Sequence, residues 1–319
     1  MRARFAPALL VALVALASAC DAGGDRSAAD APGRPVGEGA GWSFAEPMSQ
    51  RRSYVAAAEL GGRIYAAGGM VGETGRQLAL FERFDPATNA WTTLAPVPVP
   101  VRAGAGAALG DAVYVVGGAT EDGPGPQVFA FDVRRGTWSE RAPLPEPRYN
   151  HAAVALGGKL YVLGGYRGDR EQDDVFVYDP VRDRWRRAAP LPRPNHAFGA
   201  VAFRGEIWVI GGRRGEAIVR EVWIYDPDRD RWRAGPTLPD PMELLGVAAS
   251  GPEIHAVWES TYHVYDAGAG VWREEPPPTV HRHALSLFAL DGALYAVGGC
   301  TTELRDTQVV ETRALQPGA

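Results

Sequence analysis

Residues 156–185 read LGGKLYVLGGYRGDREQDDVFVYDPVRDRW. A turn pair, Gly157-Gly158, precedes the apolar run Lys159 to Leu163, which stops at a second pair, Gly164-Gly165. A polar loop leads to the alternating run Val175 to Tyr178, an Asp179-Pro180 turn and then Trp185. Alternation bounded by glycine and Asp-Pro turns marks strands joined by hairpins. The same order recurs along the chain, so the repeat decides the fold.

Double glycines stand at Gly68-Gly69, Gly117-Gly118, Gly164-Gly165, Gly211-Gly212 and Gly298-Gly299. The first four pairs are 49, 47 and 47 residues apart, and the last gap of 87 is close to two periods. Tryptophans mark the same period independently, at Trp42, Trp91, Trp138, Trp185, Trp232 and Trp272. Between these markers fall Phe84-Asp85, Phe131-Asp132, Tyr178-Asp179, Tyr225-Asp226 and Tyr265-Asp266.

A period near 47 with four strands and a double glycine resembles the kelch repeat of β-propellers, and the resemblance covers about residues 42 to 313. It implies an all-β fold, a six-bladed kelch-type β-propeller. The physics of the repeat agrees. A lone four-stranded blade cannot bury both faces, so blades must stack around an axis. The glycine pairs suit strand ends with unusual backbone angles and close neighbours. Each tryptophan can bury about 150–250 Å² between blades.

The sequence also predicts how the ring closes. Trp42 has no strands of its own before it, whereas the last copy has strand runs at 287–290, 293–297 and 308–312 and then ends without a tryptophan. Residues 42–46 are therefore expected to supply the outer strand of the last blade, which removes an open sheet edge. The fifth copy departs from the pattern: Trp258-Glu259 stands where the others have Gly-Gly. Trp258 there is either a local repacking or a wall that narrows the pocket.

Ahead of the repeats, residues 1–19 read as a signal peptide, with Arg2 and Arg4 before an apolar stretch from Phe5 to Ala17 that is short for a membrane span. Ala17-Ser18-Ala19-Cys20 resembles a bacterial lipobox, in which Cys20 is lipidated, although Ala17 stands where leucine is usual. The same residues fit an ordinary signal-peptidase site that would leave a soluble secreted protein. Residues 20–41 lack aromatic side chains until Trp42 and read as a flexible tether. These features imply an exported domain in the cell envelope, held on the periplasmic or extracellular side by its lipid anchor only, followed by a C-terminal tail at 314–319. Cys20 and Cys300 are the two cysteines, so lipidation of the first leaves no partner for an internal disulfide.

Composition narrows the functional classes. The chain of 319 residues has 39 glycines and 26 prolines, as suits a turn-rich all-β protein. Its formal charge of -5 argues against nonspecific nucleic-acid binding, which needs a basic face. Enzyme signals are weak. The GAGAALG run at 104–110 is followed by a strand, so no helix N-terminus stands there to hold phosphate. His281 and His283 lack a supporting cluster at metal-ligand spacing, and no metal or cofactor is expected. Kelch-type copper oxidases resemble this fold, but Cys300 sits at a glycine-rich turn without an evident radical partner. The periplasmic sialic-acid mutarotase (N-acetylneuraminate epimerase) is similar in location and blade number, by fold alone.

Aligning the copies on their double glycines gives the binding expectation. The start of each innermost strand carries a polar residue: Ser53, Arg102, Tyr149, His196, Glu243 and His283. In kelch adaptors similar positions rim the central funnel and contact ligands. The residues following the double glycines, among them Tyr166 and Arg213, are expected on the same face. The resemblance thus implies a monomeric binding or scaffold module that takes a protein, peptide or glycan at the funnel mouth. Arg102 and Arg213 suit an anion, Tyr149 and Tyr166 a flat group, and His196 and His283 a pH dependence near their ordinary range. The alternative is a sugar-processing enzyme with Glu243, Arg102 and a rim histidine in acid–base roles.

Overall fold

A computed structural model describes residues 41–72, 74–301 and 305–315. The leader, Cys20 and nearly all of the tether lie outside the described residues, as do residues 316–319 of the tail expected at 314–319, whereas Ala314 pairs with Ala293 and belongs to the last blade. Among the described residues regular structure consists of strands, with no helix. They form six four-stranded antiparallel sheets, together with short two-stranded ribbons. The third sheet, Ala152–Leu156, Lys159–Leu163, Val175–Asp179 and Arg184–Ala188, contains the stretch quoted first and has the expected up-and-down order.

The last blade closes as the repeats predict. Ser286–Leu290, Ala293–Val297 and Val310–Ala314 come from the C-terminal end, and Trp42–Ala45 adds the outer strand. Trp42 pairs with Arg313 and Ala45 with Val310. The third strand begins two residues later than the sequence pattern indicates. Residues 307 and 308 are occupied elsewhere: Thr307 N–H donates to Gly299 O (2.9 Å), and Gln308 O accepts from Met48 N–H (2.9 Å).

The core lies between the blades. Each of the six apolar clusters joins neighbours around the ring. At the closing seam, Met48, Ile64 and Phe84 meet Leu290, Val297 and Val310. The tryptophans lock the same junctions by hydrogen bonds. Every indole N–H of the repeat donates to a carbonyl in the chain leading from the preceding blade, for example Trp138 to Ala95 (2.8 Å), Trp185 to Ala142 (2.8 Å) and Trp42 to Pro276 (3.0 Å). The rings also pack on the aromatic of the preceding Phe/Tyr-Asp motif, as in Tyr178–Trp185 at 4.9 Å and Phe84–Trp91 at 5.2 Å.

Nearer the axis the blades are joined through the backbone. One residue in each blade takes a left-handed conformation: Tyr54, Ala103, Asn150, Ala197, Leu244 and Ala284, with φ between 46° and 56°. Ala103 N–H donates to Tyr54 O, Asn150 to Ala103, Ala197 to Asn150, Leu244 to Ala197 and Ala284 to Leu244, over 2.6–3.0 Å. The strain of a left-handed residue, roughly 1–2 kcal/mol each, is offset by satisfying a donor and an acceptor across the junction. The GAGAALG run belongs here as well. A Cβ on Gly106 would lie 2.4 Å from Ala57 O, so its glycine lets two innermost strands come together.

Candidate functional site

The rim residues stand immediately before the left-handed belt, which places them around one mouth of the channel. Below them an axial cavity of about 150 Å³ is lined by Ala103, Ala197, Leu244 and Ala284. Antiparallel bridges join each rim residue to the one that follows its double glycine: Ser53 to Met70, Arg102 to Ala119, Tyr149 to Tyr166, His196 to Arg213 and His283 to Cys300. Tyr166 and Arg213 are therefore on the rim, as expected from strand order. The fifth blade departs: Glu243 has no such bridge partner in Ser260, which is exposed at a hairpin tip.

Side chains from several blades meet in an arc. Tyr149 stacks on Tyr166, with ring centroids 5.7 Å apart at 22°. Tyr166 in turn lies 4.1 Å from the His196 ring. Glu171 supports this group: its Oε1 accepts from Gly215 N–H (2.6 Å) and lies 3.2 Å from His196 Nδ1. Arg213 Nε approaches Glu243 Oε2 at 2.8 Å, and His283 Nδ1 is 3.7 Å from Glu259. Arg102 stands at the other end of the arc, close enough for its charge to act on the Tyr149 hydroxyl.

Burial divides the eight expected residues. Arg102, Tyr149, Tyr166, Arg213 and Glu243 are half-buried and present polar atoms at the mouth. Ser53 and His196 are fully buried, and His283 is 7% exposed. The expectation that His196 titrates near its usual range is corrected: burial first, and the Arg213 charge second, pull it down to about 4, so it is neutral at physiological pH. Burial pushes the Glu243 carboxyl up, against the opposing pull of Arg213. Among the described residues, no three or more His, Cys, Asp or Glu side chains converge as a metal site. His281 is exposed while His283 is buried.

One set of residues under the rim is not apparent from the sequence. The position just before the rim holds Arg52, Arg148 and Arg282, each fully buried. Arg52 donates to Gly68 O (2.9 Å) and Ala66 O (3.3 Å) and pairs with buried Glu82 (2.7 Å). Arg282 donates to Gly298 O (2.7 Å) and Ala296 O (2.9 Å) and pairs with Glu311. Arg148 donates to Gly164 O (3.0 Å) and covers the Phe176 ring at 4.6 Å. These guanidiniums satisfy carbonyls at the double-glycine corners. Their signal lies in the same 47-residue alignment, one step before the rim positions.

Trp258 proves to be a local repacking, half-buried against the cluster that contains Trp208, Ile254 and Tyr265. The strand Glu253–Trp258 runs directly into Thr261–Asp266, with Trp258 paired to Thr261. Glu259 assumes the backbone role of the second glycine. Its N–H donates to Arg282 O (2.9 Å), as Gly118 donates to Arg148 O and Gly165 to Asn195 O in earlier blades.

A closed ring of six blades, glycine corners and a polar mouth defines a kelch-type β-propeller. A family model, the KLHDC2/KLHL20/DRC7 Kelch-repeats domain, matches residues 54–249. The chain belongs to this kelch-repeat family. It is 42% identical over 64 residues to mouse Kelch-like protein 35, a match covering 20% of this chain and 11% of that protein. It is 31% identical over 77 residues to the F-box protein AFR of Arabidopsis thaliana, covering 24% and 21% respectively. The chain thus aligns with only a small part of either relative.

Proposed function

We propose that the propeller is a binding module that holds a segment of another protein across its mouth, with Arg102, Tyr149, Tyr166, Arg213 and Glu243 in contact. The observation that carries this reading is the arc itself: polar and aromatic side chains from successive blades converge at one end of the axis. Arg102 offers a forked donor to a carboxylate, and the Tyr149–Tyr166 stack offers a flat apolar face beside it. Panning a randomised dodecapeptide library against the full chain, with a glycan array beside it, tests the reading. Arg102→Ala should cost a mouth-bound ligand at least about 1.5 kcal/mol, the low end for a charge-assisted hydrogen bond. Unchanged affinity after replacing both Arg102 and Tyr149 would place the working surface elsewhere.

A second reading, a sugar-processing enzyme, has one observation in its favour. Burial raises Glu243, the direction a general acid needs. Turnover of a sugar anomer that disappears in Glu243→Gln would replace the binding reading with this one.

The module works in the cell envelope, exported and tethered through a lipidated Cys20. Support comes from the basic and apolar leader, the small residues before Cys20 and the tether after it. One acyl chain gives only marginal binding, so stable anchoring takes several. Cys20→Ser should release the protein from the membrane fraction. A mature N-terminus that begins at an unmodified Cys20 would overturn the anchor.

A further inference from the structure

The mouth is not walled evenly. Ribbons flank it in the first four blades, at Met70–Val71 with Arg76–Gln77, Ala119–Thr120 with Gly123–Pro124, Tyr166–Arg167 with Arg170–Glu171 and Arg213–Arg214 with Ala217–Ile218. In the sixth, Arg282–His283 pairs with Cys300–Thr301. The fifth blade has no ribbon, because Glu259 and Ser260 alone turn the chain between Trp258 and Thr261. The wall therefore has a gap at this blade.

The side chain of Glu259 exists because of that gap. In the other blades a Cβ on the second glycine would strike the rim residue's own carbonyl: 2.8 Å from Ser53 O at Gly69, 2.7 Å from Tyr149 O at Gly165 and 2.7 Å from His283 O at Gly299. Glu259 holds the same inter-blade hydrogen bond in a left-handed conformation (φ 49°), yet carries a full side chain. Space for it is available because the Glu243 strand is not bridged to a ribbon here.

The result is a concentration of negative charge at the gap. Glu243 has Arg213 as its partner (2.8 Å). Glu259, a third exposed, has no arginine or lysine within ion-pair distance among the described residues; its nearest titratable neighbour in the contact is His283 Nδ1 at 3.7 Å. The Glu243 and Glu259 carboxylates repel each other, and His283 acts on Glu243 as well. The His283 side chain is more than nine-tenths buried at this spot, and its Nε2 has no hydrogen-bond partner. A desolvated donor or acceptor without a partner, beside a carboxylate that no arginine or lysine neutralises, is a place left for a ligand.

We infer that the bound segment crosses the rim through the gap at the fifth blade, where Glu259, with Glu243 and His283, takes an arginine or lysine side chain of that segment. The second and fifth blades stand opposite each other in a ring of six, so Arg102 faces an acidic residue further along the same segment. This rests on the proposed protein-binding role of the mouth and adds to it a direction and a charge pattern.

Glu259→Gly is the discriminating variant, because it restores the residue used in the other blades and favours the left-handed backbone. The full chain and this variant are each panned with the randomised dodecapeptide library. Wild-type protein should enrich peptides that carry a basic residue and, separated from it, an acidic one. Glu259→Gly should fold and bind those peptides about tenfold more weakly, as expected for a lost charge pair in a partly desolvated site. Charge-reversed peptides, with the two residues exchanged, should bind no better than scrambled controls. Peptides that need Arg102 and Tyr149 but show no basic preference, or that bind Glu259→Gly unchanged, overturn the inference and leave the mouth reading standing. A selection with no peptide dependent on any mouth residue overturns both.

Discussion

Arg213 Nε lies 2.8 Å from Glu243 Oε2, joining the ribbon of the fourth blade to the start of the fifth across the mouth of the channel. The contact bears on the charge of Glu243, where burial raises the carboxyl and Arg213 pulls it back.

Removing the arginine should expose the burial effect. In Arg213→Ala the Glu243 carboxyl is expected to titrate higher than in the wild type, as read by NMR of the side-chain carboxyl. Stability should change little, by about 1 kcal/mol or less for a pair this open to water. A downward shift would mean that Arg213 is not its main counter-charge.

Ring closure gives a second test. Trp42 is 3% exposed, meets the edge of the Tyr262 ring at 5.9 Å and donates to Pro276 O. Trp42→Ala should cost about 3–5 kcal/mol, the usual range for a buried large aromatic. A chain starting at Glu46 should lose cooperative thermal unfolding or aggregate through the exposed edge of Val310–Ala314, whereas one starting at Gly39 should behave as the full chain. Equal melting of the two would contradict closure.

Arg52 and Glu82 are a fully buried ion pair. Glu82→Ala leaves the guanidinium desolvated without its carboxylate and should destabilise by about 3–5 kcal/mol in denaturant unfolding. Replacing both members with apolar residues should recover part of the loss, although Arg52 also satisfies carbonyls at Ala66, Gly68 and Leu80. A double variant less stable than Glu82→Ala would show that those carbonyl bonds stabilise the blade more than the ion pair does.

Three buried histidines should make the fold lose stability in acid. Burial is the first cause in each, pulling His151 down to about 3 and His196 and His255 to about 4. Between their folded values and the unfolded value of about 6.5, the unfolded chain binds more protons than the native one. Stability is thus full above about pH 6.5 and falls as the pH drops towards 4, by up to about 1.4 kcal/mol per pH unit for each histidine. His196→Gln should flatten this slope in urea titrations across pH 7 to 4. An unchanged slope would show that His196 is charged in the native state.

Much of this architecture was legible in the chain because the repeat is local chemistry in fixed register. The tryptophan spacing, the Phe/Tyr-Asp turns and the double glycines each report a strand or a turn, and their period counts the blades. Closure could also be read, since Trp42 without a blade and a last copy without a tryptophan complete each other. The rim positions followed from the same alignment, because strand order puts equivalent residues at the same end of the axis.

What the alignment could not convey is what neighbouring blades do to an equivalent position. Ser53 and His196 occupy the same register as Arg102 and Tyr149, but adjacent elements cover them, so their polar atoms are sealed. Exposure there is a property of the packed ring and not of the strand. Tyr54, Ala103 and Leu244 show no local preference for the left-handed conformation they adopt; hydrogen bonds to the next blade impose it. Arg52, Arg148 and Arg282 look like surface charge until the carbonyls of the glycine corners surround them. Glu259 looks like a broken motif, and only the ring shows that it keeps the glycine's hydrogen bond while placing a carboxylate at the mouth. Local sequence specified the strands and turns of each blade; contacts between blades, distant in sequence and assembled by burial, decided which side chains the mouth presents.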